Sequence, residues 1–229
     1  MNYQIITDEK ALKEFIDWLP ELASNEKYYF CLFARSKYSS GIVHIKSDKA
    51  QLKRGVSDKE RLFNKIRQLE VPIGAYMQRD VEIPQEALAL YITVNPRNMH
   101  KATVNTMVKL AQSIRDNNVN LNPHQEAYSE IQKAKSRTCY IDFDIDEKDS
   151  TILEEIMSLI EGYVNKEAIT YLKTRGGIHC LIDPSKVEEK FRKSFYKNIS
   201  SITEVDQTGD QMIPVPGTFQ GGFTPHFIQ

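Results

Sequence analysis

The chain has 229 residues, of which 41% are apolar and 27% charged, and its formal net charge is −1. These values are typical of an ordinary soluble globular protein, and no apolar run approaches the roughly 20 residues that span a bilayer. They exclude a membrane-spanning helix and give no overall charge signal for nucleic acid.

The N-terminus and the cysteines indicate the compartment. The first residues lack the basic and apolar segments of a secretory signal. Cys31, Cys139 and Cys180 form no C-x-x-C pair, which argues against a zinc ribbon and a disulfide framework. We therefore expect a cytoplasmic protein, built as one large domain or as two small lobes that share a core.

Residues 1–130 are predicted to form an N-terminal α/β lobe. Apolar residues at helical spacing predict helices over residues 8–23, 58–69 and 100–116. Apolar runs predict strands over residues 27–35 and 87–94, with 41–45 as the hairpin partner of the first strand. The predicted buried face of the third helix consists of Val104, Met107, Val108, Ala111 and Ile114.

Two features of this lobe have open interpretations. Between Lys27 and Arg67 the chain has eleven basic residues and only three acidic ones, which favours a phosphate-backbone track or, equally, a solvated basic face. Asn95-Pro96-Arg97 follows a strand and precedes a helix, so it could hold a phosphate or base, or Arg97 is only a surface residue. The eleven basic residues are Lys27, Arg35, Lys37, Lys46, Lys49, Lys53, Arg54, Lys59, Arg61, Lys65 and Arg67.

Residues 131–229 are predicted to form a second lobe. Its predicted elements are a strand over 138–146, a helix over 151–162 capped by Ser150, strands over 168–173 and 178–182, a helix from Pro184 to 198, and a strand over 201–206. The order β-α-β-β-α-β is the RRM-like unit. The predicted fold class is therefore α+β, with the N-terminal α/β unit packed against an RRM-like catalytic unit.

The most informative segment is the acidic strand over residues 138–146. Asp142, Asp144 and Asp146 alternate with apolar residues, so they share one face, with successive carboxylates roughly 7 Å apart. Such a row raises the pKa of its members unless a cation lies between them. A hard divalent metal ion is the simplest such cation, and a merely polar solvent face is the alternative.

Further candidate site residues follow in the chain. In an RRM-like sheet the first strand lies beside the third and fourth, which brings His179 and Asp206 to the acidic face. Lys173, Arg175 and His179 would supply cationic or hydrogen-bonding groups to a triphosphate. Gly176 and Gly177 would let backbone N–H groups approach phosphate. Taken alone, each feature also has a structural reading, as a core histidine, a plain turn or a turn aspartate.

The combined motifs resemble the archaeo-eukaryotic primase superfamily, the primase–polymerase catalytic core. The family pattern of an hhhDhD strand, an s-x-H strand and an hD strand corresponds to Tyr140-Ile141-Asp142-Phe143-Asp144, Gly177-Ile178-His179 and Val205-Asp206. Pro216-Gly217-Thr218 resembles the Pro-Gly-Ser/Thr loop that follows the third motif. The resemblance covers mainly residues 136–217, and Asp210 is an alternative to Asp206 as the third acid.

The resemblance implies a metal-dependent nucleotidyltransferase that synthesises primers on a single-stranded DNA template. It implies that Mg²⁺ or Mn²⁺ binds Asp142, Asp144 and Asp206, and that His179 contacts the incoming nucleoside triphosphate. Arg175 or Lys173 would assist, and Gly177 would belong to the nucleotide site. A separate helicase or replicative polymerase is an expected partner. The alternatives are a catalytically inactive nucleotide or single-strand binder of the same fold and an unrelated Asp-x-Asp metal enzyme.

Overall fold

The computed structural model describes residues 1–38, 49–78, 80–118 and 120–228, which form a mixed α+β fold with two five-stranded antiparallel sheets and a separate two-stranded hairpin, β3-β4. The helices are α1 (Glu9–Trp18), α2 (Lys59–Arg67), α3 (Met99–Arg115), α4 (Pro123–Lys133), α5 (Ser150–Tyr163), α6 (Glu189–Arg192) and α7 (Phe195–Ser200). The strands are β1 (Glu26–Arg35), β2 (Lys49–Ser57), β3 (Met77–Gln78), β4 (Val81–Glu82), β5 (Leu88–Thr93), β6 (Arg97–Asn98), β7 (Ile141–Ile145), β8 (Ile169–Lys173), β9 (Ile178–Ile182), β10 (Val205–Gly209), β11 (Met212–Pro214) and β12 (His226–Phe227).

The N-terminal sheet has the order β11-β5-β1-β2, with β6 also pairing with β1. Its inner face, with Phe30 and Leu32, belongs to the larger core, to which α1 and α2 contribute. Its outer face is aromatic and is partly covered by Tyr128 and Ile131 of α4. The strand β11 comes from the C-terminal part of the chain, so the sheet joins residues from both predicted lobes.

The C-terminal sheet has the order β10-β7-β9-β8-β12, so β7 lies between β10 and β9. Phe143 and Ile145 of β7 pack on one side against α5 and α7. Leu172 and Leu181, with Tyr140, belong instead to the core that contains the inner face of the N-terminal sheet. The acidic face of β7 is therefore turned toward the other sheet and is not an open solvent face.

Several element boundaries differ from the sequence prediction. Asp149 caps α5 in place of Ser150, and its Oδ1 accepts the N–H groups of Thr151 and Ile152 at 2.8 and 3.3 Å. The predicted helix after Pro184 is two short helices, α6 and α7, and the last predicted strand begins only at Val205. The helix α4 was not predicted, and the predicted hairpin strand 41–45 lies outside the described residues.

The buried face predicted for α3 is wrong. Met107 is 65% and Ile114 78% exposed, and Val104 and Val108 are also exposed. Lys109, on the other side of the helix, pairs with Glu126 and Glu130 of α4 at 3.0 and 2.7 Å. The side of α3 that contains Lys109 therefore faces α4, and α4 in turn covers the aromatic face of the sheet.

No helix within the described residues is long and apolar enough to cross a membrane.

Candidate functional site

Asp142, Asp144 and His179 meet on the acidic face of the C-terminal sheet. In the β7–β9 register His179 lies directly opposite Asp144, and directly opposed residues of antiparallel strands project to the same side. His179 Nδ1 lies 2.9 Å from Asp142 Oδ1, and Nε2 lies 3.6 Å from Asp144 Oδ1. The imidazole therefore lies between the carboxylates of Asp142 and Asp144, the two residues predicted to bind a metal ion.

The electrostatics of this triad follow from its burial. Burial lowers the pKa of His179, but the carboxylates of Asp142, Asp144 and Asp146 oppose this and raise that pKa to about 8. Burial also raises the pKa of Asp144, as do Asp142 and Asp146, while His179 lowers it. The site is thus a compact, negatively charged cluster with one titratable cation inside it.

One oxygen of Asp142 has no partner of its own. The side chain is 1% exposed, and Oδ2 accepts no hydrogen bond from the described residues. A buried carboxylate oxygen without a partner is costly, and a cation relieves that cost. Asp142 Oδ2 and the carboxylate of Asp144, which is 26% exposed, are two hard oxygen ligands. In sites that bind substrate phosphates, Mg²⁺ usually has one or two protein carboxylates as ligands. These two residues are therefore the ones at this site that could hold a divalent ion.

Basic residues form the opposite wall of a narrow cleft in front of the triad. The cleft has a volume of about 90 Å³ and is lined by Asp144, Asp146 and His179 on one side. Arg35 and Lys49 come from the paired ends of β1 and β2, and Lys37 follows β1 directly. These three cations belong to the basic stretch noted in the sequence, so part of that stretch faces the carboxylates.

A larger cavity of about 480 Å³ continues from the cleft past the Arg175 turn. It shares Lys37, Tyr38, Asp146 and Gly176 with the cleft and adds Glu147, Lys148 and Arg175. The Arg175 guanidinium carbon lies 4.3 Å from the centroid of the Tyr38 ring. The backbone N–H of Arg175 donates to Gln220 Oε1 at 2.9 Å. Arg175 is therefore fixed at the rim of this cavity.

Asp206 does not join the triad. A β-bulge between Val205 and Gln207 leaves Asp206 without a partner in β7 and puts Gln207 opposite Asp144. Asp206 is exposed, and the residues that line the cleft include Gln207 but not Asp206. Across residues 1–38, 49–78, 80–118 and 120–228, no three His, Cys, Asp or Glu side chains are grouped to hold a metal ion.

Asp210, the alternative third acid, has a different task. Its carboxylate accepts hydrogen bonds from Arg97 Nη1 and Nη2 at 2.6 and 3.2 Å, and from Asn95 Nδ2 at 3.0 Å. Arg97 is 2% exposed, so it is neither a phosphate ligand nor a surface residue. Asn95 also binds the backbone of Cys139 and Tyr140, so this cluster joins the two sheets.

The glycine turn has a packing role. The N–H groups of Gly176 and Gly177 both donate to Thr174 Oγ1, at 3.3 and 3.2 Å. A Cβ at Gly177 would lie 1.9 Å from the carbonyl oxygen of Ile145. The two amides therefore hold the turn closed, in contrast to the predicted approach to phosphate, and Gly177 allows the turn to touch the end of β7.

Lys173 lies away from the cleft. Lys173 pairs with Ile178, whereas its neighbour Leu172 pairs with His179. Neighbouring residues of a strand project to opposite faces, so the side chain of Lys173 leaves the sheet on the face opposite His179. It is not among the residues that line the cleft. Of the predicted nucleotide-site cations, Arg175 and His179 lie at the two joined cavities.

Tyr91, Gln211 and Gln220 also line the cleft and were not singled out by the sequence. Tyr91 accepts a hydrogen bond from Arg35 Nη1 at 2.6 Å and so orients that cation. Tyr91 lies in an apolar strand, and the two glutamines lie in segments without a motif. No local signal in the sequence marks them.

No protein-family model, curated protein or solved structure matches this chain.

Proposed function

We propose that the protein is a metal-dependent nucleotidyltransferase of the primase–polymerase type, which synthesises primers on a single-stranded DNA template. The observation that carries this proposal is the meeting of Asp142, Asp144 and His179 on one face, opposite a wall of basic residues. Carboxylates that hold a divalent ion, with cations beside them, are the groups that phosphoryl transfer requires.

The strand order supports an RRM-like catalytic unit. The elements β7, α5, β8, β9, the α6–α7 pair and β10 follow one another as β-α-β-β-α-β, and the sheet order is β10-β7-β9-β8. This places the first strand of the unit between the third and the fourth, as the RRM-like arrangement requires. We propose residues 131–229 as the catalytic lobe on this basis.

Each residue of the site has a proposed role. Asp142 and Asp144 hold Mg²⁺ or Mn²⁺, which supplies neutralisation of phosphate charge. His179 holds Asp142 in place through its Nδ1 contact of 2.9 Å. Arg175 and Lys37 bind the triphosphate of the incoming nucleotide in the 480 Å³ cavity. A separate helicase or replicative polymerase is the proposed partner.

The test is template-dependent incorporation of labelled nucleotides with Mg²⁺ or Mn²⁺. Asp142→Asn and Asp144→Asn are expected to lower incorporation by more than the roughly 10- to 100-fold that loss of an outer partner costs. Glu155→Gln, an exposed carboxylate on α5, is the matched control and should retain activity. Wild-type levels of incorporation in both aspartate variants, with folding retained, would contradict the proposal.

A second candidate is a nucleotide or single-strand binder of the same fold without turnover. The exposed position of Asp206, outside the triad, favours it, because Asp142 and Asp144 then lack the third acid that the primase pattern requires. It predicts that wild type binds nucleoside triphosphate and oligonucleotide yet incorporates nothing with either metal. Incorporation that depends on Asp142 and Asp144 would rule it out.

A further inference from the structure

We infer that single-stranded nucleic acid binds in a groove between β2 and α4 and enters the carboxylate cleft from that side. The inference rests on the proposed function and deepens it, because it gives the template its own surface. The β2–α4 groove is defined here as two joined cavities, of about 330 and 600 Å³, which share Gln51. Their lining residues beyond Gln51 include Arg54, His124 and Tyr128 in the first and Lys49, Tyr91 and Lys133 in the second.

The groove is continuous with the carboxylate cleft. Its second cavity shares Lys49, Tyr91, Gln211 and Met212 with that cleft. The 480 Å³ cavity that contains Arg175 leaves the cleft through a different set of residues, Lys37, Tyr38, Asp146 and Gly176. The carboxylates thus lie between two arms, and one chain can occupy the groove while a nucleotide occupies the other arm.

The charge of the groove suits a phosphate backbone. Lys53 and Arg54 line its first cavity, and Lys49 and Lys133 line its second. Among the described residues that line either cavity, Asp210 is the single carboxylate, and Arg97 already binds it. Phosphate contacts by such cations supply most of the affinity of non-specific nucleic-acid binding.

The groove also offers rings to unstacked bases. His124 is exposed on α4, and its ring lies 4.9 Å from that of Tyr128 in an edge-to-face pair. The Arg54 guanidinium lies 5.6 Å from the Tyr128 ring, and its hydrogen bonds to Gln125 and Ser129 are long, at 3.4 and 3.3 Å. Rings next to cations along a groove are the features by which proteins bind single strands without reading sequence.

The length of the groove fits a short oligonucleotide. Strand β2 covers roughly 17 Å from Arg54 to Lys49 at about 3.3 Å per residue. Sites on comparable sheet surfaces take about 4 to 16 nucleotides. A duplex offers paired bases whose faces are stacked on one another, so rings on the groove wall have nothing to stack on. The groove is therefore specific for single strands.

The test is fluorescence anisotropy of labelled oligo(dT) of about 12 nucleotides, with the full chain in EDTA and without nucleotide. Arg54→Ala should weaken binding about tenfold and lower the slope of log K against log salt by about 0.7, the value for one lost phosphate contact. His124→Ala, at an exposed position, should weaken binding about fivefold or more while leaving that slope unchanged. Arg61→Ala is the matched control, because Arg61 lies in the same basic stretch but outside the groove, paired with Asp58.

Wild-type affinity in both Arg54→Ala and His124→Ala would overturn the inference, as would equal affinity for duplex of the same length. Since no metal or nucleotide is present, the result does not depend on catalysis. If the groove variants weaken binding but Asp142→Asn retains incorporation, the result supports the groove as the binding site and contradicts the proposed metal chemistry. If the groove variants bind like wild type but Asp142→Asn abolishes incorporation, the result supports the metal chemistry and contradicts the groove.

Discussion

His179 is the residue on which the site is organised, because it is buried between two acids. Its pKa is lowered by burial and raised by the neighbouring carboxylates, with about 8 as the result. The carboxylates prevail because Asp142 contacts the imidazole directly, at 2.9 Å. The imidazole therefore carries a proton at neutral pH and balances part of the negative charge of the triad.

An NMR titration of the histidine ring protons in EDTA should find a His179 pKa near 8, assigned by the loss of one signal in His179→Gln. Addition of Mg²⁺ should lower this pKa, because the ion takes over the neutralisation of Asp142 and Asp144. A His179 pKa below the ordinary value of about 6.5 in EDTA, or no response to Mg²⁺, would contradict this account.

The same titration contributes to stability with a definite sign. A histidine whose pKa is higher in the folded protein stabilises the fold below the unfolded pKa of about 6.5, and loses that contribution as the pH rises through about 8. Wild type should lose about 2 kcal/mol of unfolding free energy relative to His179→Gln between a pH well below the unfolded pKa and a pH well above the folded one. Urea denaturation in EDTA at several pH values measures it, and parallel pH profiles of the two proteins would count against it.

At the scale of elements, the glycine turn between β8 and β9 sets the position of His179. Gly177 touches the end of β7 so closely that a Cβ would lie 1.9 Å from the carbonyl oxygen of Ile145. This contact fixes the register in which His179 opposes Asp144. The bulge in β10 has the opposite effect on Asp206. It leaves Asp206 without a partner in β7 and places Gln207 opposite Asp144.

Gly177→Ala should therefore destabilise the protein by about 2 kcal/mol or more, since backbone must move to admit the methyl group. Gly162 in α5 is the matched control, because a Cβ there meets nothing within 4 Å. Gly162→Ala should stabilise by about 0.5 to 1 kcal/mol through helix propensity. Thermal unfolding of both variants decides, and equal midpoints would refute the packing role of the turn.

At the scale of the whole molecule, a polar cluster joins the two sheets in addition to the apolar core that they share. Arg97 and Asn95 belong to the N-terminal part of the chain, and both bind Asp210, between β10 and β11. A buried arginine that loses its carboxylate is left with an uncompensated charge. Loss of Asp210 would therefore remove three hydrogen bonds and leave the buried Arg97 without its charged partner.

Asp210→Ala should cost about 2 kcal/mol of unfolding free energy, because Arg97 is buried and loses its charged partner while Asp210 itself is partly exposed. Glu14→Ala is the control, because Glu14 forms an exposed pair with Lys10 and should change stability by less than about 0.5 kcal/mol. Urea denaturation measures both variants. A loss at Asp210 no larger than the loss at Glu14 would show that the bridge does not hold the sheets.

The sequence by itself determined the elements whose patterns are local. The apolar alternation of residues 138–146 predicted β7 and the common face of Asp142 and Asp144, and the apolar runs predicted β1, β5 and β9. The meeting of His179 with the acids also followed from the order of the strands. The strands themselves could be predicted because side-chain alternation along a strand is a property of the backbone and requires no knowledge of the rest of the chain. The meeting of His179 with the acids required in addition the strand order of an RRM-like sheet.

Only the tertiary structure decided which polar groups share a surface. It bound Asp210 to Arg97, moved Asp206 out of the triad through a bulge, left the apolar side of α3 exposed and placed Arg35, Lys37 and Lys49 opposite the carboxylates. None of these outcomes is encoded locally. Each depends on which distant segment of the chain lies beside the residue in question, and the packing of the two sheets determines that.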